Sequence, residues 1–334
     1  MIVPARNEAS ILALTVQSLL QQNYAGPTHI FLADDHSTDG TGEIASRTAR
    51  EAGRSDCLSV VQARSLPAGW TGKLWAVSEA LREAESFNAD YYWFTDADIV
   101  HEPDNLSGLL ERAETGGLDM VSLMVKLRCE SLAERLLIPA FTFFFFMLYP
   151  PAWVAQQHRR SAAAAGGCVL IRRGALQRIG GVAAIRNQLI DDCALARAVK
   201  SGGSIWLGLA SKATSVRGYG SWREIGGMIS RTAFTQLHHS FLLLCAVIAG
   251  MAVTYLAPLI VIGFGSWAAG FGMAAWLLMS IAYSPMLRVY GLNPLWAPLL
   301  PLTAVFYLCA TVYSAVQYWM GQGGSWKGRV QDPS

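Results

Sequence analysis

Charged residues almost disappear from this sequence after Ser240, and that asymmetry limits what the chain can fold into. Hydrophobic residues make up 52% of the 334 residues and charged residues only 15%, which is too apolar for an ordinary soluble enzyme. Basic and acidic residues balance before residue 241, so the sequence disfavours a nucleic-acid-binding groove, which needs a basic excess. The remaining part of the chain has only four charged residues, Arg288, Lys327, Arg329 and Asp332.

Three apolar segments fill that last part, at Phe241–Phe264, Trp267–Tyr283 and Leu295–Met320. Each reaches or approaches the roughly 20 residues that a helix needs to cross a bilayer. Aromatic residues stand near the segment ends, as is typical of membrane interfaces. We therefore predict transmembrane helices within 241–320, with two or three crossings, and a short tail at 321–334. Buried core helices of a large soluble domain are the alternative interpretation.

Residues 1–240 alternate short β-branched or aromatic runs with amphipathic helical windows, which predicts a mostly parallel α/β sheet with helices on both faces. Ligands of such sheets bind at the carboxyl ends of the strands. The predicted helices lie around residues 11–20, 40–52 and 73–84. The predicted strands are Ile2–Val3, His29–Ala33, Leu58–Gln62, Tyr91–Thr95, Met120–Lys126, Cys168–Arg172 and Ser204–Leu207.

A fourth apolar run, Leu136–Ala155, interrupts this pattern. If it crossed a membrane once, the regions around Asp96 and Asp191 would lie on opposite sides and could not share one site. We therefore predict a half-inserted interfacial segment, because the pair Pro150-Pro151 stops a straight helix. A core helix beneath the sheet is the alternative.

Acidic pairs follow two of the predicted strands. Asp96 and Asp98 directly follow the strand at Tyr91–Thr95, and their hard oxygens suit Mg²⁺ or Mn²⁺ carrying a diphosphate. A solvated turn is the alternative interpretation of that pair. Asp34 and Asp35 end the second strand before a turn suited to a nucleoside, although a helix cap without a ligand explains them too.

Other polar residues stand at the same predicted edge. Pro4, Arg6 and Glu8 end the first strand and place a cation and a carboxylate beside the crevice. Lys73 follows a glycine-containing loop and begins a helix, where a phosphate contact is expected.

The ordered set PARNEA, DDHSTDGT, GWTGK, TDAD and a later DD resembles family 2 glycosyltransferases of the GT-A fold. Within that family, GWTGKLWA, AAGGCVLIRR and SRTAFTQL resemble the hopene-associated glycosyltransferases of the HpnB type. The resemblance implies that Asp96 and Asp98 hold the nucleotide-sugar and a divalent cation, Mg²⁺ or Mn²⁺. It also implies a nucleotide site formed by Pro4, Arg6, Glu8, Asp34, Asp35 and Lys73.

The later acidic pair, Asp191-Asp192, matches the Glu-Asp pair of the family, and the resemblance implies that Asp192 is the general base. A sugar acceptor loses a proton as it attacks, and a carboxylate can take that proton. Asp191 is the second candidate base, and helix capping is the alternative role of the pair. The family's Gln-x-x-Arg-Trp motif is represented by MISRT, so only Arg231 carries over as a donor-binding residue.

These expectations combine into an inverting, metal-dependent transfer from a nucleotide-sugar, UDP-linked, to a lipid such as a hopanoid. We expect a multi-pass protein of a bacterial-type inner membrane with residues 1–240 in the cytoplasm. The six cysteines lack paired spacing, which predicts neither disulfides nor a zinc site. A polyprenyl-phosphate or ceramide-type acceptor and a nucleotide-binding membrane regulator without turnover are the alternatives.

Overall fold

The computed structural model describes residues 1–322, 325–326 and 329–330. Part of the predicted tail at 321–334 therefore lies outside the described residues. The residues before the tail form an α/β sheet domain and a group of long apolar helices. Both parts pack against common helices.

Eight strands form one mixed sheet: β1 (Ile2–Ala5), β2 (Ile30–Asp34), β3 (Leu58–Gln62), β4 (Tyr91–Thr95), β5 (Ile99–His101), β6 (Met120–Lys126), β7 (Cys168–Arg172) and β8 (Ile205–Ser215). Their order in the sheet is β3-β2-β1-β4-β7-β6-β8-β5. The first four strands in this order run parallel, as do β6 and β8, whereas β7 is antiparallel to both of its neighbours and β5 is antiparallel to β8. This arrangement confirms the predicted mostly parallel sheet.

Two strands differ from the sequence prediction by more than two residues. The three-residue β5 was not predicted, because it is too short to show an alternating pattern. The predicted strand at Ser204–Leu207 continues to Ser215 as β8, through a polar stretch that pairs with β6 and β5.

Helices cover both faces of the sheet because successive strand side chains point to opposite sides. Ile2 and Phe94 join the core on one face, and Val3 and Trp93 join the core on the other. The first face carries α3 (Gly72–Ala84), α7 (Arg173–Arg178) and α8 (Asp191–Lys200), and the second carries α1 (Leu12–Leu20), α2 (Thr41–Glu51) and α4 (Asn105–Thr115).

The apolar run at 136–155 forms α5 (Leu132–Leu148) and the short α6 (Pro151–Val154). Ser131 and Glu134 form a capping box that starts α5, and Pro139 lies inside it. One set of its aromatic residues packs against the sheet domain and another against the tail helices. Phe145 and Phe146 belong to the first set, and Phe143 and Phe144 to the second.

The remaining helices are α9 (Trp222–Gln236), α10 (Phe241–Met251), α11 (Ala257–Ile262), α12 (Ser266–Val289) and α13 (Leu300–Trp319), with a π-helical turn between α10 and α11. Two short strands, β9 (Ser325–Trp326) and β10 (Arg329–Val330), follow as an antiparallel pair.

Four segments of the described chain are long and apolar enough to cross a membrane: Leu132–Val154, Phe241–Ile262, Trp267–Val289 and Pro294–Trp319. Three of them match the predicted spans, and the middle one continues six residues beyond Tyr283 to Val289. Many of their large apolar side chains face outward; Leu242, for example, is 79% exposed. Outward apolar surface on several long helices favours association with a membrane.

Candidate functional site

A pocket of about 630 Å³ opens where the ends of β1, β4 and β8 meet the starts of α3 and α8. This is the sheet edge at which the sequence predicted a ligand. Among the predicted site residues, the pocket brings together Pro4, Glu8, Lys73, Asp96, Asp98, Asp191, Asp192 and Arg231.

Lys73 connects the two acidic pairs. Its Nζ lies 2.9 Å from Oδ1 of Asp96 and 3.5 Å from Oδ2 of Asp191. Thr71 caps α3 by accepting a hydrogen bond from the Leu74 N–H, which fixes the turn on which Lys73 stands. Burial lowers the pKa of the Lys73 ammonium, but attraction to Asp191 and Asp96 outweighs burial and raises that pKa above its ordinary value. Lys73 is therefore a permanent positive charge between two carboxylates.

Asp192 lies in the first turn of α8 and faces the pocket. Its Oδ2 accepts a hydrogen bond of 2.9 Å from the Gly166 N–H, and its Oδ1 accepts one of 2.7 Å from the Cys193 N–H. Burial, followed by repulsion from Asp191, raises the pKa of the Asp192 carboxyl to about 6, although Lys73 and the backbone hydrogen bonds oppose that rise. A carboxylate with such a pKa is suited to accept a proton near neutral pH.

The helix-cap interpretation of the Asp191-Asp192 pair is only partly met. The N-cap residue of α8 is Ile190, and its side chain makes no capping hydrogen bond. Both aspartates stand in the first turn, where a negative charge interacts favourably with the helix dipole. They stabilise the start of the helix and face the pocket at the same time.

Asp98 is held by a cluster that the sequence prediction missed. Arg217 Nε lies 3.2 Å from Asp98 Oδ2, and Arg217 Nη2 donates to both oxygens of Glu8 at 2.6 and 2.7 Å. Ser215 Oγ donates to Asp98 Oδ2 at 2.8 Å. Burial, followed by repulsion from Asp96, raises the pKa of Asp98, while Arg217 and Ser215 act against that rise.

Arg217 was missed because the sequence prediction ended the last strand too early. It follows Ser215, the end of β8, by two residues, just as Asp98 follows shortly after β4. The rule that polar residues after strand ends form the site would have selected Arg217 if the full length of β8 had been recognised.

Asp96 and Asp98 are the residues of the pocket that could hold a divalent cation. Lys73 pairs with Oδ1 of Asp96, Ser215 and Arg217 contact Oδ2 of Asp98, and both aspartates line the pocket. In the described part of the chain, no three His, Cys, Asp or Glu side chains form a metal-binding group. The pair still fits Mg²⁺, which proteins often bind through one or two carboxylates together with substrate phosphates.

The pocket lining also includes apolar side chains. They are Phe141 and Phe145 from α5, Met124 and Leu127 from the region of β6, and Met228 from α9. Arg231 lies one turn beyond Met228 on the same face of α9 and also lines the pocket. A ligand in this pocket therefore meets both charged and apolar side chains.

The other predicted nucleotide residues lie outside the lining of this pocket. Arg6 Nη1 donates to the carbonyl oxygen of Asp35 and lies 3.4 Å from its Oδ2. Asp34 Oδ1 accepts from the Ser37 N–H at 2.9 Å and so shapes the turn after β2. These contacts order the loops at the ends of β1 and β2, next to the strand that carries Asp96.

Comparison with known proteins adds a family match. The family model described as "Glycosyl transferase family 2" matches residues 1–180. No curated protein matches the sequence significantly.

A solved structure shows the fold, and two others are similar at lower TM-scores. The mannosyltransferase PcManGT from Pyrobaculum calidifontis, solved with GDP-Man and Mn²⁺, superposes with a TM-score of 0.56 at 20% identity, over 94% of this chain and 86% of that chain. S. aureus TarS 1–349 gives 0.44 at 17% identity, over 96% and 91% of the two chains. Glucosyl-3-phosphoglycerate synthase from Mycobacterium tuberculosis gives 0.44 at 19% identity, over 71% and 78%.

Proposed function

This chain belongs to glycosyl transferase family 2, and on that premise we propose that it transfers a sugar from a nucleotide-sugar to a lipid hydroxyl at the membrane. The observation that carries the proposal is the pocket in which Lys73 joins Asp96 to Asp191 and which apolar side chains also line. Charged and apolar groups meet there, as a donor diphosphate and a lipid acceptor require.

We assign the donor to the charged residues of the pocket. Asp96 and Asp98 would hold Mg²⁺ or Mn²⁺, and the cation would neutralise charge on the diphosphate. Lys73 and Arg231 supply further positive charge at the pocket. Pro4, Arg6, Glu8, Asp34 and Asp35 would surround the nucleotide, which we expect to be UDP. The mannosyltransferase PcManGT, which shares the fold, was solved with GDP-Man and Mn²⁺.

We assign the proton transfer to Asp192. As the acceptor oxygen forms its bond to the anomeric carbon, the bond from that carbon to the diphosphate oxygen breaks, and the diphosphate leaves with the electron pair. The hydroxyl proton passes to the Asp192 carboxylate. Lys73 holds Asp191 beside Asp192, and the Gly166 N–H fixes Asp192 Oδ2. Attack opposite the leaving group inverts the anomeric configuration.

We assign the acceptor to the apolar side chains of the pocket, where Phe141 and Phe145 belong to a helix that also packs on the tail helices. The two ends of the α5–α6 segment are bonded to the sheet domain. The Tyr219 N–H donates to Glu134 at 2.7 Å, and Lys200 donates to the Val154 carbonyl at 2.7 Å. We therefore propose that this segment lies along the membrane interface and presents the acceptor to the pocket. A hopanoid is the first lipid to test.

The test is a mass-spectrometric comparison of lipid extracts incubated with the purified full chain, a nucleotide-sugar and Mn²⁺. UDP- and GDP-linked sugars are supplied separately, and a hopanoid-containing extract is compared with one that lacks hopanoids. We expect a lipid whose mass increases by one sugar residue, with release of the nucleotide diphosphate. Diphosphate release in equal amounts with and without lipid would contradict the lipid acceptor. A donor that binds without any release would favour a regulator.

A further inference from the structure

Arg217 occupies an unusual position for a structural ion pair, because it lies between two carboxylates of the pocket. Glu8 follows β1, Asp98 follows β4 and Arg217 follows β8, so one guanidinium ties together the ends of three strands. All three side chains line the pocket, and Arg217 is 32% exposed to it.

The two ends of this bridge differ in strength. Toward Glu8, Nη2 meets both carboxylate oxygens at 2.6 and 2.7 Å, and the Glu8 side chain is only 8% exposed. Toward Asp98, a single contact of 3.2 Å joins Nε to Oδ2. Short contacts to a well-buried carboxylate are the stronger ones. A competitor for Asp98 would therefore break the Asp98 contact and leave Arg217 on Glu8.

We propose that Arg217 is a counter-ion built into the divalent-cation site: it neutralises Asp98 before the cation binds and yields that carboxylate to the cation. The inference rests on the cation site at Asp96 and Asp98 proposed above. Glu8 then acts as the anchor that retains Arg217 beside the diphosphate position, and Ser215 keeps Asp98 oriented throughout through its 2.8 Å hydrogen bond.

The competition has a measurable consequence for cation affinity. If Arg217 must give up Asp98, its positive charge opposes cation binding in the free enzyme. A nearby opposite charge stabilises an ionised carboxylate by about ten- to a thousandfold, and a competing cation has to overcome an effect of that kind. Arg217→Met should therefore tighten binding of Mn²⁺ alone by about tenfold or more.

The experiment measures the dissociation constant of Mn²⁺ by electron paramagnetic resonance on the full chain in detergent, without any donor. Arg231→Met is the matched control, because it removes the same charge from the same pocket and Arg231 has no ion pair with Asp98. We expect a tighter constant for Arg217→Met and a change of less than about threefold for Arg231→Met, which acts only through screened long-range charge.

Other outcomes would overturn the inference. If Arg217→Met and Arg231→Met changed the Mn²⁺ dissociation constant equally, Arg217 would act only as a general positive charge. If Arg217→Met bound Mn²⁺ more weakly, Arg217 would support the structure of the site and would not compete with the cation. Arg217→Gln, which is polar and similar in size, replaces Arg217→Met if the latter fails to fold. If the wild-type chain bound no Mn²⁺, the proposed cation site would fail, and this inference with it. If the wild-type chain bound Mn²⁺ and neither variant bound it more tightly, the inference about Arg217 would be refuted while the proposed cation site would stand.

Discussion

The backbone N–H of Gly166 donates a 2.9 Å hydrogen bond to Oδ2 of Asp192, and a Cβ on residue 166 would lie 3.5 Å from that oxygen. The loop before β7 therefore runs close along the carboxylate that we propose as the base. This contact stabilises the charged form of Asp192 and fixes its direction, while burial and Asp191 favour the proton.

Asp192→Asn should leave nucleotide-sugar binding nearly unchanged and reduce transfer by roughly 10²-fold or more, the usual scale for general-base catalysis. The amide keeps the shape of the side chain and can still accept from Gly166. Donor affinity is measured calorimetrically and lipid glycosylation by mass spectrometry, and Asp191→Asn is measured alongside because Asp191 is the second candidate base. A normal rate in Asp192→Asn would exclude Asp192 as the base, and a loss of transfer in Asp191→Asn alone would assign that role to Asp191.

The rate of transfer should rise with pH through about 6, the pKa of Asp192. Below that pH the carboxyl carries a proton and cannot accept one from the acceptor, and above it the base is ionised. The rate is measured at saturating donor and Mn²⁺, so that a bound cation keeps Asp98 ionised. A flat profile between pH 5 and 7.5 would argue against Asp192 as the base.

Cation removal should abolish transfer, because two adjacent carboxylates would otherwise repel the diphosphate. Exhaustive chelation tests this directly, and added Mg²⁺ or Mn²⁺ should restore the rate. Asp98→Ala should lose both cation and donor binding in calorimetry. Full turnover after chelation would show that Lys73 and Arg231 are sufficient to bind the diphosphate.

The chain should remain in the membrane fraction after washing with high salt or carbonate, since apolar helices and not charges hold it there. Residues 1–240 should resist added protease in cells permeabilised only at the outer surface, as expected for a cytoplasmic domain. Release by carbonate would contradict the transmembrane assignment, whereas digestion of residues 1–240 would reverse only the orientation.

Lys200→Met should destabilise the fold. Lys200 is 7% exposed and its ammonium donates to the carbonyls of Val154 at 2.7 Å and Ser161 at 2.6 Å, so its loss leaves these acceptors unpaired, at a cost of about 2 kcal/mol or more. The thermal midpoint in detergent should fall. Lys212→Met is the control, because the exposed pair of Lys212 with Asp104 contributes about 0–1 kcal/mol. Equal shifts would contradict the role of Lys200.

Much of the sheet could be predicted because buried strands are short, apolar runs followed by polar residues. Tyr91–Thr95 has the same bounds in prediction and structure, and the acidic pair after it lies in the pocket as expected. The end of β8 could not be predicted from the sequence, because its second half contains Lys212 and other polar residues and is not an apolar run.

The site was predicted where its residues follow a recognisable strand, and missed where they depend on distant contacts. Lys73 and Asp96 are 23 positions apart in the numbering, yet the sequence motifs indicated both. The bridge from Arg217 to Glu8 joins residues 209 positions apart, and no local pattern reports such a pair. The apolar part of the pocket lining was also missed, since Phe141 and Phe145 belong to a segment that was interpreted as interfacial or, alternatively, as a core helix beneath the sheet.

The dual packing of α5 has a consequence for how the protein is made. Phe144 contacts Tyr255 and Tyr307, and Phe143 contacts Tyr283, with ring centroids 4.9–5.8 Å apart. Those partners leave the ribosome after the whole sheet domain has been synthesised, so one side of α5 stays uncovered until the last helices have been made and have packed against it. A polypeptide released at residue 240 would carry that aromatic surface permanently, and such surfaces aggregate. The sheet domain therefore depends on the last helices of the chain to complete its own folding.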